Sequence, residues 1–185
     1  MRTSFLRGLI GVKRMAIGDN LASLVSFFTD LRPNDGTITS DETAANNCFA
    51  WAAGEKYCRW EPGHTWLSAS GSDALENYVL NYKLAGFVDS NSEAYEPGFE
   101  KIAIYANLDG EATHAARLKG ESGVWTSKLG DLEDIDHHSL HCLNGTGPYD
   151  YGTVAVFLKR PEGGPGKWKD NAIRARLNSS KTSKN

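Results

Sequence analysis

The sequence predicts an α+β domain in which N-terminal helices pack on a small antiparallel β-sheet. Apolar residues recur at helical spacing in the first half of the chain, and short apolar strands separated by turn residues fill the second half. The alternation of helix and strand that marks a parallel sheet is absent. At 185 residues, the chain is long enough for one domain with a substantial hydrophobic core.

Three helices are predicted from apolar spacing and from residues suited to helix ends. They cover residues 20–31, 46–57 and 72–84. Gly86 follows the third and suits the position just after a helix. The residues suited to the N-cap positions are Asp19 or Asn20, then Asn46 or Asn47, and finally Ser72 or Asp73.

Four strands are predicted after the helices. The sequence Asn107-Leu108-Asp109-Gly110 is a hairpin turn signal between the first two, and a Gly-containing turn at 119–123 precedes the third. The strands cover residues 101–106, 113–118, 124–129 and 151–158. Together they predict an antiparallel meander.

Composition and charge narrow the function classes. The net charge of −3 gives no reason to expect nucleic acid as a partner, and no apolar run is long enough to span a bilayer. Three cysteines leave at least one thiol free and lack the spacing of a disulfide scaffold, which predicts the reducing cytoplasm. We expect an N-terminal extension at 1–18, the domain at 19–160, and a flexible Gly/Pro-rich basic tail at 161–185.

Cys48 and His114 are the leading candidates for chemistry. Cys48 falls where the second helix begins, and a helix end lowers a thiol pKa through its dipole and free N–H groups. His114 lies in a strand among small residues, which leaves its imidazole room to meet a helix end. Such a pair makes an activated nucleophile, although a buried structural cysteine and a sheet histidine without a role also fit these residues.

A third group would orient the imidazole, and an oxyanion would need donors. Thr126 and Ser127 are within cross-strand range of His114, and Asp136 and His137 are rivals for the orienting role. The Cys48 N–H could bind an oxyanion together with a side-chain amide of the preceding asparagines. These asparagines, Asn46 and Asn47, could also serve only as N-caps of the second helix.

The run from Asp136 to Cys142 also invites a zinc interpretation, with Cys58 and His64 completing a ligand set. Adjacent histidines on a strand point to opposite faces, and no established ligand spacing is present. We therefore predict no metal and no other cofactor.

Several segments together resemble an uncharacterised bacterial domain family that looks like a branch of the papain-like cysteine peptidase and amidase superfamily. The segments are Asn47-Cys48-Phe49-Ala50-Trp51-Ala52, Lys101-Ile102-Ala103-Ile104-Tyr105, Thr113-His114-Ala115-Ala116-Arg117, Trp125-Thr126-Ser127-Lys128-Leu129-Gly130, Ile135-Asp136-His137 and Tyr151-Gly152. The resemblance covers roughly residues 40–160 and implies a papain-like fold. It also implies Cys48 as the nucleophile, His114 as the base and Ser127 in the position of a polar orienter.

The resulting hypothesis is a cysteine-dependent hydrolase or acyl-transfer enzyme that acts on an amide bond of a peptide or small molecule. A non-catalytic papain-like module, which binds a partner or serves in a toxin–immunity pair, is the alternative. The sequence predicts neither the identity of the substrate nor the oligomeric state.

Overall fold

A computed structural model describes residues 15–61 and 72–163. Most of the predicted extension and tail, and His64, lie outside these residues. The helices are α1, Cys48–Ala52, and α2, Leu75–Leu84. The strands are β1, Gly36–Ile38; β2, Val88–Ser90; β3, Phe99–Ala106; β4, Ala112–Leu118; β5, Trp125–Lys128; β6, Asp134–His137; and β7, Thr153–Pro161.

The strands form one antiparallel sheet of seven, in the order β1-β6-β5-β4-β3-β7-β2. This sheet dominates the described part of the chain, which has only two short α-helices. The expected fold class, in which N-terminal helices pack on a small antiparallel sheet, is therefore wrong. Within the described residues, no helix has the length and apolar character needed to cross a bilayer.

The predicted helix at 20–31 accounts for part of this error. The structure has only a 3-10 turn at Leu21–Ser23, followed by further turns. The backbone here bonds to distant residues instead of to the next helical turn: Leu21 N–H donates to Pro33 O, and Ile38 N–H donates to Asp19 O. The apolar side chains of this segment are nevertheless buried, because they pack against the sheet although the backbone that carries them is not helical.

The other two helices are confirmed, with shorter bounds. Asn47 is the N-cap of α1, which ends at Ala52, five residues before the predicted end at 57. Gly54 follows with a φ of +83°, a left-handed conformation that ends the helix. Helix α2 runs from Leu75 to Leu84, and Gly86 follows it with a φ of +92°.

All four predicted strands are confirmed, and three others were missed. The missed strands β1, β2 and β6 have only three or four residues each. Strand β6 reads Asp-Ile-Asp-His, so its sequence lacks the apolar content that predicts a strand. The predicted meander holds for β3, β4 and β5 and continues into β6 and β1, but it is wrong for the last strand, because β7 returns to pair with β3 and with β2 at the other edge.

Each face of the sheet carries its own hydrophobic core. Helices α1 and α2 pack on the face that includes Ile102, Ile104 and Ala115. The segment before β1 and the 3-10 turn at Leu140–Leu143 cover the other face, which includes Ala103, Tyr105 and Ala116. Because side chains alternate along a strand, His114 shares this second face with Ala116.

Candidate active site

Asn47 holds the start of α1 in place. Its side-chain oxygen accepts hydrogen bonds from Ala50 N (3.1 Å) and Trp60 N (3.0 Å), and its amide Nδ2 donates to Trp60 O (2.8 Å). One buried side chain therefore caps the helix and ties it to the chain thirteen residues later. The capping prediction is confirmed, and the predicted oxyanion role of Asn47 would have to use its second amide hydrogen.

Cys48 is the first residue of α1 and is buried. Burial raises the pKa of its thiol to about 11, and the amide of Ala115 and that of Phe49 offset only part of this effect. The backbone amides at the start of the helix do lower this pKa, as expected, but the net shift is upward. A helix of five residues has a small dipole, and desolvation outweighs it.

The sulfur of Cys48 lies beside β4 at a split in the sheet. Strands β4 and β5 pair only over Ala116–Leu118 and Trp125–Ser127, so the first residues of β4 have no partner on β5. A backbone amide in a strand points sideways, within the plane of the sheet. Because the amide that interacts with Cys48 belongs to Ala115, the sulfur is next to the residue that follows His114.

His114 is linked to His137 through a serine, and all three side chains are fully buried. His114 Nε2 and Ser127 Oγ are 2.9 Å apart, and Ser127 Oγ and His137 Nε2 are also 2.9 Å apart. His137 Nδ1 is 2.9 Å from the carbonyl oxygen of Ser139. The side chains come from the adjacent strands β4, β5 and β6 and share one face of the sheet.

These contacts determine the tautomer of His114. The Ser139 carbonyl can only accept, so His137 Nδ1 carries a proton and donates it. Burial lowers the pKa of His137 to about 4, so the ring is neutral near pH 7 and its Nε2 accepts from the Ser127 hydroxyl. Ser127 Oγ therefore accepts from His114 Nε2–H.

His114 Nδ1 is then left with a lone pair. The pKa of His114 is well below its ordinary value, first because of burial and second because of His137, so the imidazole is neutral. Nδ1 is buried and has no hydrogen-bond partner among the described residues, Cys48 included. The structure thus brings the predicted base together with two of the four candidate orienters, Ser127 and His137, and it places Cys48 beside β4 without a thiol–imidazole hydrogen bond.

A cavity of about 680 Å³ opens beside Cys48. Its walls include Cys48 and Phe49 from one side of the sheet and Leu24 and Phe28 from the other, so it lies at the split and not over one face. Tyr151, whose ring stacks on His114, also lines it. Cys48 is therefore one of the residues that a ligand in this cavity would contact.

Other predicted site residues serve elsewhere. Asp136 points to the opposite face from His137 and pairs with Lys119 at 2.5 Å. Asn46 Nδ2 donates to Glu55 O over 3.4 Å. Among residues 15–61 and 72–163, no three His, Cys, Asp or Glu side chains form a group that could hold a metal ion.

Sequence reasoning missed Tyr151 and the Ser139 carbonyl as parts of this site. The signal for Tyr151 was the pair Tyr151-Gly152: Gly152 has a φ of +80°, and a Cβ there would lie 2.0 Å from Ala106 O. This close approach brings the preceding tyrosine onto β4. A backbone carbonyl such as that of Ser139 leaves no trace in the sequence.

Comparison with known proteins identifies a family for the chain but no individual relative. No curated protein and no solved structure matches the chain. The comparisons show no link to papain-like peptidases, whereas the expected membership of an uncharacterised domain family is confirmed. Residues 37–159 match the model of the domain of unknown function DUF7689, and this range includes Cys48, His114, Ser127, His137 and Tyr151. The chain therefore belongs to that family.

Proposed function

We propose that the protein is a cysteine-dependent hydrolase or acyl-transfer enzyme that acts on an amide bond, with Cys48 as nucleophile and His114 as base. The observation that carries the proposal is the unpartnered lone pair on His114 Nδ1, in a ring whose other nitrogen is held through Ser127 and His137. A buried base without a partner costs free energy, and a proton from a thiol would satisfy it.

The raised pKa of Cys48 determines how the reaction would start. Both groups are neutral at rest, so the thiolate would form only as the attack begins. His114 Nδ1 takes the thiol proton while the sulfur bonds to the carbonyl carbon. The C–N bond then breaks, and the leaving amine takes that proton from His114, which produces a thioester.

Water, or an amine in the transfer reaction, completes the cycle. His114 Nδ1 takes a proton from the incoming nucleophile, which bonds to the thioester carbon. The C–S bond breaks, and the proton returns to the sulfur of Cys48. The backbone amides of Cys48 and Phe49, at the start of α1, are candidate donors to the oxyanion in both halves.

A binding module with an inert cysteine is the second candidate. It is favoured by the high pKa of the thiol and by the missing hydrogen bond between Cys48 and His114. In that case the cavity would bind a ligand that never reacts.

The decisive experiment is iodoacetamide labelling of the native protein between pH 6 and 10, with each cysteine followed separately by peptide mass spectrometry. Cys58 and Cys142 are also buried cysteines that form no disulfide, and they serve as internal references. If the proposal holds, Cys48 reacts at pH 7.5 roughly tenfold or more faster than either reference, and His114→Gln removes the difference. Labelling of Cys48 no faster than the references, or unchanged in folded His114→Gln protein, would favour the binding module.

A further inference from the structure

Arg59 lies beside Cys48 on the wall of the same cavity. The Asn47 side chain fixes this arrangement, because its amide donates to Trp60 O at 2.8 Å and its oxygen accepts from Trp60 N at 3.0 Å. Asn47 directly precedes Cys48, and Trp60 directly follows Arg59, so the two hydrogen bonds hold the Arg59 backbone against the start of α1. Of the Arg59 side chain, 32% is exposed. The thiol and any ligand of the cavity therefore share one nearby cation.

Two carboxylates fix the guanidinium of Arg59. Its Nε is 2.6 Å from Glu61 Oε1, and its Nη1 is 2.5 Å from Asp131 Oδ1. Glu61 follows on the same segment, whereas Asp131 lies in the turn between β5 and β6. Arginine keeps its charge at every pH at which a protein is folded, and its planar fork is suited to being held by carboxylates. The chain thus anchors a permanent positive charge from two separate segments.

Two cations interact with Cys48 through their charge. Burial raises the pKa of the thiol to about 11, the amides of Ala115 and Phe49 lower it, and the charge of Arg59 also lowers it. The second cation is Lys128 of β5, which is fully buried; burial lowers its pKa, and neighbouring anions, the Cys48 thiolate included, raise it. Three phenols also interact with the thiol and stay neutral, because burial raises their pKa values: Tyr78, Tyr82 and Tyr151. Of the two cations, Arg59 is the one that lines the cavity.

A buried thiol needs such a charge when it reacts. The proposed attack moves the thiol proton to His114 and places negative charge first on the sulfur and then on the carbonyl oxygen. Burial penalises both anions, because the water that would solvate them is largely excluded. The permanent charge of Arg59 offsets this penalty without a proton transfer of its own. Glu61 and Asp131 reduce the effect through their opposite charge, and they also hold the guanidinium in place.

We propose that Arg59 is a positioning residue for the reaction at Cys48, with a guanidinium that stabilises the negative charge on the sulfur. It acts through Cys48 and gives or takes no proton. This inference rests on the proposed function, since it assigns the source of positive charge at the Cys48 site. It also makes Asp131 a residue whose own charge opposes the effect.

The test measures the rate of iodoacetamide labelling at Cys48 between pH 7 and 9.5 in the parent protein and in variants of Arg59. Iodoacetamide is neutral, so the charge of Arg59 neither attracts nor repels the reagent. Arg59→Gln removes the charge and should slow labelling at a given pH roughly threefold or more, which corresponds to a rise of about half a unit in the pKa of Cys48. Arg59→Lys keeps a positive charge and should recover at least about half of the parent rate.

Asp131→Asn separates an effect of charge from an effect of structure. It removes the negative charge and keeps an oxygen acceptor for Arg59, so labelling of Cys48 should become roughly twofold faster or more. A purely structural role predicts faster labelling in both Arg59→Gln and Asp131→Asn, because a loosened cavity wall exposes the thiol. Opposite directions in the two variants therefore identify the charge. Asp131→Asn also keeps the proposal testable if Arg59→Gln does not fold.

Arg32→Gln is the matched control, since it removes an exposed guanidinium that does not line the cavity. It should leave the Cys48 rate unchanged. Cys142 lies in the core on the other face of the sheet, so a constant rate at Cys142 shows that a variant keeps its fold. Labelling of Cys48 that is unchanged or faster in Arg59→Gln, or as slow in Arg59→Lys as in Arg59→Gln, would overturn the assignment. Labelling in Asp131→Asn that is no faster than in the parent protein would do the same.

The outcome is independent of the test of His114. Repeating the comparison in His114→Gln protein removes the base and keeps the charge. An effect of Arg59 there, with no loss of labelling caused by His114→Gln itself, would support the role of the cation and contradict the enzyme proposal alone. Loss of labelling in His114→Gln without any effect of Arg59 would leave the enzyme proposal standing and remove Arg59 from it.

Discussion

The imidazole of His114 lies face to face with the phenol ring of Tyr151, with the ring centroids 4.0 Å apart and the planes inclined by 9°. The backbone holds Tyr151 in this position: Thr113 Oγ1 donates to Tyr151 O at 2.5 Å, and Tyr151 N donates to Leu143 O at 3.2 Å. The tyrosine ring separates His114 from the cavity solvent, which contributes to the desolvation that lowers the pKa of His114.

Replacing Tyr151 should therefore change the titration of His114. In Tyr151→Leu the ring is gone and water can reach the imidazole, so we expect the pKa of His114 to rise towards the ordinary value of about 6.5. NMR titration of the histidine ring protons measures this pKa. Tyr151→Phe keeps the stacked ring and should leave it unchanged; equal shifts in both variants would mean that the ring does not shield His114.

Removing the Ser127 hydroxyl should cost stability. Ser127→Ala leaves Nε2 of His114 and Nε2 of His137 buried without a partner. We expect the free energy of unfolding to fall by about 1–3 kcal/mol, measured by urea denaturation. Ser122→Ala, at an exposed serine, should change it by less than about 0.5 kcal/mol. A similarly small loss for Ser127→Ala would contradict the linked histidines.

Stability should fall as the pH falls below 6.5 because of His137. Above that pH the group is neutral in both states. Between pH 6.5 and 4 the unfolded chain binds a proton that the folded protein does not, because burial lowers the folded pKa to about 4. This group alone should account for a loss of about 3 kcal/mol at the lower end, and His114 acts in the same direction.

The difference between the parent protein and His137→Gln isolates this effect from the titration of carboxylates. Urea midpoints measured from pH 7.5 to 4 should decline less steeply in His137→Gln. His138→Gln, at the exposed neighbouring histidine, should decline as the parent does. Parallel curves for parent and His137→Gln would show that His137 is protonated in the folded state.

The two asparagines before Cys48 should differ in their contribution to stability. Asn47→Ala removes the helix cap and the hydrogen bonds that the Asn47 side chain makes to the backbone N–H and C=O of Trp60, for a loss of about 2–4 kcal/mol. Asn46→Ala removes one hydrogen bond of 3.4 Å and should cost less than about 1 kcal/mol. Thermal unfolding of both variants measures the two losses, and equal losses would contradict the assignment of Asn47 as the cap.

Local signals in the sequence predicted part of the fold and named several residues that the structure places together. Helix α2 and the strands β3, β4, β5 and β7 were predicted because their apolar residues alternate with a clear period and turn residues bound them. Strand β6 was not predicted, because Asp134 and Asp136 do not favour a strand by themselves. It forms because β1 and β5 pair with it on both sides. The same strand carries His137, which sequence reasoning could name only as a rival to Ser127.

The pKa of Cys48 shows the limit of local reasoning most clearly. The position at a helix start was predicted correctly, yet the sign of the pKa shift depends on how deeply α1 packs against β4. Burial is a property of the whole sheet, so no segment around Cys48 could reveal it.

The position of β7 has a consequence for when this site can exist. Interior strand β3 pairs with β4, which follows it directly, and with β7, which is the last strand among the described residues. A nascent chain that ends before Tyr151 has Cys48, His114 and Ser127 but lacks the ring over the base and half of the pairing around β3. Contacts between distant segments form slowly, so the arrangement of Cys48, His114, Ser127 and Tyr151 should form only after nearly the whole domain has left the ribosome.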